Sequence, residues 1–193
     1  MKKKTQAFTL LELMVVITLI AIVTAYGLPR LQGFTTNTGL ISNTNSLVAA
    51  LQYARSSAIN DQARVVICTS DNAMTPGPTC GGPATPWHDG WIIFRDTDGN
   101  ASFGSGDVLL RAQPKVAIQG ITIVPVDLGG NPTNIVDNVS FGPPAGQPML
   151  ANGLNQSGLF RICSAADKTK VRGVTLHFSG RISATRDVTS PCP

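Results

Sequence analysis

A chain of 193 residues has room, once an apolar anchor is set aside, for one globular domain of about 130 to 160 residues with a single core. Its 19 Gly, 13 Pro and 13% charged residues suit a loop-rich β domain and disfavour a helical bundle. The formal net charge is +4, but three of the positive charges are Lys2, Lys3 and Lys4, so the remainder is close to neutral and the overall charge identifies no partner.

From Phe8 to Leu28 the chain is apolar or small in character, and Glu12 is its single charged side chain. A helix of that length crosses about 30 Å, the hydrocarbon thickness of a bilayer. The three lysines before it lack acidic counterparts and predict a cytoplasmic N-terminus, with the bulk of the chain on the other side of the inner membrane. A secretory signal peptide would have a shorter apolar core followed by a small-residue cleavage site. An ionised Glu12 inside such a helix requires a partner. A cut between Ala7 and Phe8 would supply one, by removing the lysines and freeing an α-ammonium on Phe8. The amine of one molecule then reaches Glu12 of another when helices pack side by side with an axial offset.

The segment KKKTQAFTLLELMVVITLIAIV resembles the leader and first helix of type IV pilins and pseudopilins. That resemblance implies a prepilin peptidase acting between Ala7 and Phe8, methylation of the Phe8 amine, and Glu12 as the residue that directs assembly with other pilins or pseudopilins. Alanine stands before the cut where the family usually has glycine.

Beyond the apolar run, Pro29 removes a helix hydrogen bond and marks a weak point. Helical spacing resumes with Leu40, Leu47, Leu51, Ala54, Ala58 and Ile59, with Asn43, Asn45, Gln52 and Arg55 between them. The pattern predicts one long helix to about residue 60, amphipathic in its second half. The resemblance implies that the proline zone melts in the fibre. The expected division is a leader over 1–7, an anchor and filament-core helix over 8–28, an amphipathic continuation over 29–60 and a periplasmic β-rich domain over 61–193.

After Asp61 the period becomes that of strands, predicted at 64–69, 90–95, 107–113, 120–126, 138–141, 159–163, 171–179 and 181–185, with a hairpin break at Ser179-Gly180. In the seventh, Val174, Leu176 and Phe178 share one face. The tracts MTPGPTCGGPATP and FGPPAGQP read as surface loops. Together with GWIIFRDTDGN and a late Gly-Arg hairpin, the N-terminus resembles the minor pilin and pseudopilin subfamily that includes pseudopilin H, FimT and FimU. The fold this implies is α+β, a long helix packed on an antiparallel two-sheet β domain.

Four cysteines, Cys68, Cys80, Cys163 and Cys192, form an even set outside the cytoplasm. Three pairings exist; Cys68 with Cys80 and Cys163 with Cys192 each close a local loop and are preferred. Zinc is disfavoured, because the spacing contains no CxxC and neither histidine adjoins a cysteine.

Asp96, Asp98, Asn100 and Asp107 copy the oxygen spacing of a calcium loop, but Ala101 stands where that loop needs glycine and Asp107 replaces its glutamate. A turn at Asp98-Gly99 is the preferred reading. Trp87, His88, Asp89 and Trp91 read as a core or loop aromatic cluster, and His177 as an exposed strand residue. No nucleophile motif, phosphate loop or metal set accompanies them, so no enzyme and no cofactor is expected.

The C-terminal region carries Arg161, Lys168, Lys170, Arg172, Arg181 and Arg186 against Asp167 and Asp187. A pole formed by Lys168, Lys170, Arg172, Arg181 and Arg186 can bind the phosphates of DNA, or can be a solvated edge that discourages strand pairing. The FimT resemblance implies DNA uptake through Gly-Arg-x-Arg; here Gly180, Arg181 and Ile182 are followed by Ser183. The reading is a non-enzymatic minor pilus subunit that primes or caps a fibre, or else a pseudopilin of type II secretion.

Overall fold

A computed structural model describes residues 9–116, 120–128, 133–150, 152–165, 170–186 and 192, with the side chains of 27–36 left out. Its contacts divide the chain into Met1–Asn37 and Thr38–Pro193. The helix α1 (Leu10–Asp61) is continuous in its backbone through Pro29. Strands β1 (Val65–Thr69), β2 (Trp91–Arg95), β3 (Val108–Gln113), β4 (Ile121–Val126), β5 (Asn138–Gly142), β6 (Gln147–Pro148), β7 (Gly158–Ser164), β8 (Val171–Leu176) and β9 (Ile182–Thr185) follow, with a short 3-10 helix at Trp87–Asp89. The strands form two antiparallel sheets, ordered β3-β2-β1-β5-β6 and β4-β7-β8-β9. The α+β class, with a long helix against antiparallel sheets, is as expected.

Within Thr38–Pro193 the helix buries Leu40, Thr44, Leu47, Leu51, Ala54 and Ala58, alternating spacings of four and three that keep one face toward the core. Ile59, expected on that face, is only half-buried at its margin. The core joins this stripe to the inner faces of both sheets through Val65, Ile67, Phe141, Phe160, Ile162, Val174 and Leu176. A second cluster lies on the outer face of the five-stranded sheet, where Val66, Cys68, Ile92 and Phe94 meet Phe103 and Cys80. This double cover is why β1 is buried at all five positions and reads as a continuous apolar run instead of an alternation.

Each of the eight predicted strands has a counterpart, and two details of the prediction are corrected. The tract FGPPAGQP is more than a loop, since β6 lies within it and pairs Phe141 with Pro148. Strand β8 ends at Leu176, and Phe178 falls in the turn, 62% exposed, instead of extending the inward face. The turn comes early because the His177 N–H donates to the Arg181 carbonyl and the Gly180 N–H to that of His177. Gly180 takes φ +78°, open to glycine at little steric cost. Asp98-Gly99 does reverse the chain between β2 and β3, with Gly99 at φ +78°.

Disulfides join Cys68 to Cys80 and Cys163 to Cys192, the pairing that closes local loops.

Candidate functional site

The helix start is built by Thr9. Its Oγ1 accepts the Glu12 N–H at 3.2 Å and its carbonyl accepts the Leu13 N–H at 3.2 Å, which sets Thr9 as the N-cap and Glu12 three residues on, a Thr-x-x-Glu capping pattern. A carboxylate in the first turn also complements the helix dipole. Glu12 is the sole charged residue between Thr9 and Tyr26 and is solvent-exposed. Around it Leu10, Leu11, Leu13, Met14, Ile17, Ile20 and Val23 are all exposed, on every side of the helix. The hydroxyls of Thr18 and Thr24 donate to carbonyls one turn back, at 2.8 Å to Val15 and 2.9 Å to Ile20, and so meet an apolar environment already satisfied. Ala7 and Phe8 lie outside the described residues, as do the side chain of Pro29 and Lys168. Among the described residues no helix is long and apolar enough to cross a membrane; the described side chains of the apolar stretch stop at Tyr26.

The expected single basic pole is divided by strand register. Gly173 lies opposite Thr185 and Leu176 opposite Ile182. Arg172 and Arg186, with Lys170, therefore occupy one end of the β8–β9 hairpin, and Arg181 the other, about 17 Å away along β9. Arg181 instead lines a groove with Gln52, Arg55, Ser56, Ile59 and Ile182. Spacing marks Arg55 only as a polar position between apolar ones, because nothing local to it signals a neighbour more than a hundred residues away.

The acidic loop turns inward on itself. Asp96, Asp98 and Asp107 each bring an oxygen within 4.8 Å of the others. Those oxygens are engaged. Asp96 accepts the N–H groups of Gly99 and Ala101 and lies 3.4 Å from Arg64 Nε, while Asp107 accepts those of Thr97 and Gly104. Asp98 accepts the Asn100 N–H, and Asn100 Oδ1 the Ser102 N–H. These are the contacts of a self-capped turn.

Trp87 is fully buried, with its Nε1–H donating to the Val136 carbonyl at 2.9 Å and its ring edge-on to Phe160 at 5.0 Å. His88 is half-buried beside it, and its Nδ1 accepts the Ile123 N–H at 3.4 Å. Burial holds the His88 pKa below the ordinary histidine value, Lys115 acts in the same direction and Asp89 opposes them. The unfolded chain then binds a proton that the folded chain does not, so stability is fully present above about pH 6.5 and is lost as pH falls from there through the lowered folded value. Thermal unfolding followed from pH 8 to pH 5 should show a falling midpoint below about pH 6.5, and His88→Phe should remove that slope. An unchanged slope in the variant would assign the effect to other groups.

The profile for the family described as Type II transport protein GspH matches residues 43–180. This chain belongs to the GspH family. A second profile, the prokaryotic N-terminal methylation motif, matches residues 2–27. Among solved structures, this GspH chain is similar to the type IV minor pilin FimU of Pseudomonas aeruginosa, at 21% identity and a TM-score of 0.54, covering 79% of this chain and 92% of that one. A second crystal form of FimU gives 20% identity and a TM-score of 0.51, over 76% and 92%. The minor pseudopilin EpsH from the type 2 secretion system of Vibrio cholerae is similar at 11% identity and a TM-score of 0.45, over 76% and 96%. A search of curated protein sequences found no match. The likeness to FimU shows a shared fold. The family's own description is that of a type II transport protein, and the N-terminal match is to a methylation motif.

Proposed function

We propose that this GspH-family chain is a minor subunit of a type IV pilus. In this reading prepilin peptidase cuts between Ala7 and Phe8, the Phe8 amine is methylated, residues 8–28 hold the chain in the inner membrane, and residues 61–193 face the periplasm until the helix is drawn into a fibre that the subunit primes or caps. Residues 29–60 continue the helix, and Pro29 is where it loosens. The observation that carries the reading is the exposed apolar stretch of the helix over residues 9–26, with Glu12 as its only charged side chain. Such a surface needs cover from lipid or from neighbouring helices, and one carboxylate in an oily bundle sets axial register by finding one amine.

Glu12→Ala is expected to leave leader cleavage intact and to lower incorporation into sheared fibres by more than about tenfold, because a buried ion pair loses one partner. Fractionation with quantitative immunoblotting reads this. Wild-type incorporation would remove Glu12 from the mechanism, and a native mass that still includes the lysine leader would remove the processing step. A pseudopilin of type II secretion is the second reading, favoured by the family description itself; the helix works identically there, and the fibre with which the chain co-purifies separates the two. DNA binding rests on the basic side chains alone, with Lys170, Arg172 and Arg186 as its cluster at one hairpin end.

A further inference from the structure

Arg55, in the last turns of α1, is set in a cradle of two glycines. Gly146, in the turn between β5 and β6, and Gly180, in that between β8 and β9, both have positive φ. A Cβ on Gly146 would come within 2.8 Å of Arg55 Cγ, and one on Gly180 within 2.9 Å of its Nε and 3.1 Å of its Cζ. A larger residue at Gly180 would meet the guanidinium and, at 2.5 Å, the Gly146 carbonyl oxygen, and one at Gly146 would press on the Arg55 stem and Ile59. The Arg55 Nε is buried and has no hydrogen-bond partner among the described residues, an expensive state for a cationic donor. Beside it opens a groove of about 360 Å³, lined by Gln52, Arg55, Ser56, Ile59, Arg181 and Ile182. Two guanidiniums, an amide and a hydroxyl line it beside Ile59 and Ile182, and no carboxylate is among the described lining residues.

We propose that Arg55 and Arg181 form a receptor for a single carboxylate, presented by an acidic side chain of a neighbouring pilin subunit. A pair of planar forks matches an oxyanion, and an arginine held in place by packing loses little freedom on binding it. A neighbouring subunit is favoured over DNA as the source for two reasons. The groove is concave and of side-chain size with two isoleucines in its lining, whereas a duplex backbone needs a track of cations, and the next cluster, Arg172 and Arg186, lies at the opposite end of the hairpin. Neighbouring subunits are also what the assembly reading places beside this chain in a fibre. The proposal therefore rests on the assembly reading, but it concerns the globular domain and not the helix.

The test uses the full chain in detergent, with acetate and inorganic phosphate as probes and chloride at matched ionic strength as control. Titration followed by the Arg55 Nε–H NMR signal should show a saturable shift with acetate and with phosphate and none with chloride. Arg181→Gln should weaken both by about tenfold, while Arg172→Gln with Arg186→Gln should leave them unchanged. In cells Arg55→Gln should lower fibre incorporation while processing and the unfolding midpoint stay near wild type; Glu12→Ala failing to assemble while Arg55→Gln assembles normally would overturn this site and leave the helix mechanism standing. No oxyanion-specific shift, or a shift indifferent to Arg181→Gln, overturns the receptor. Binding of a short DNA duplex that displaces acetate and is lost equally in the Arg172 and Arg186 variants would reassign the groove to nucleic acid and overturn the carboxylate.

Discussion

Trp87→Ala is expected to destabilise the globular domain by about 3–5 kcal/mol, a large share of the roughly 5–15 kcal/mol available to a domain of this size. The ring is fully buried in the main core, edge-on to Phe160, and its removal leaves a cavity that the close-packed side chains around it cannot fill by small shifts. It also removes the indole N–H from the Val136 carbonyl, 2.9 Å away. Trp87→Phe separates the two contributions, since it keeps most of the ring and loses the hydrogen bond; a cost of about 1–3 kcal/mol is expected for that variant. Denaturant unfolding of the full chain in detergent, followed by circular dichroism, measures both. A Trp87→Ala midpoint close to wild type would mean that this ring does not hold the core together.

Removing the Cys163–Cys192 disulfide should be nearly as damaging. The bond closes a separation of 29 residues and encloses β8 and the edge strand β9, which has a neighbour on one side only. Loop-closure entropy for a ring of that size corresponds to about 3–4 kcal/mol, against about 3 kcal/mol for the separation of 12 closed by Cys68 and Cys80. The double variant Cys163→Ser with Cys192→Ser is therefore expected to lower the unfolding midpoint more than Cys68→Ser with Cys80→Ser. The reverse order would show that the smaller ring matters through packing instead. Cys68 sits in the outer cluster with Phe94 and Phe103, and the Phe103 N–H points at Cys80 Sγ, so that ring has contacts to lose as well.

Both experiments concern the platform that displays Arg55 and Arg181. The glycine turns that hold Arg55 belong to hairpins of different sheets, β5–β6 and β8–β9, so the groove exists only while the two sheets keep their places on α1.

Much of this protein is legible in its sequence because its strongest signals are local. An apolar run with a single carboxylate announces a helix that must find cover, and Leu40, Leu47, Leu51, Ala54 and Ala58 mark the buried stripe by spacing alone, since a helix repeats every 3.6 residues whatever it packs against. Alternation located strands to within a few residues; where it failed, at Phe178, a turn's hydrogen bonds ended the strand before the pattern did. The Thr9 cap is equally local, a Thr-x-x-Glu sequence at the head of the apolar run.

Tertiary structure alone decided which strands share a sheet and which cations share a surface. Arg181 and Arg186 are five residues apart, a short step in sequence, but an extended strand carries them to opposite ends of a hairpin, and hydrogen-bond register then brings Arg172 beside Arg186. Arg55 and Arg181 line one groove because a helix and the turn before an edge strand are set on one core, a placement that depends on every strand between them and leaves no mark near either residue.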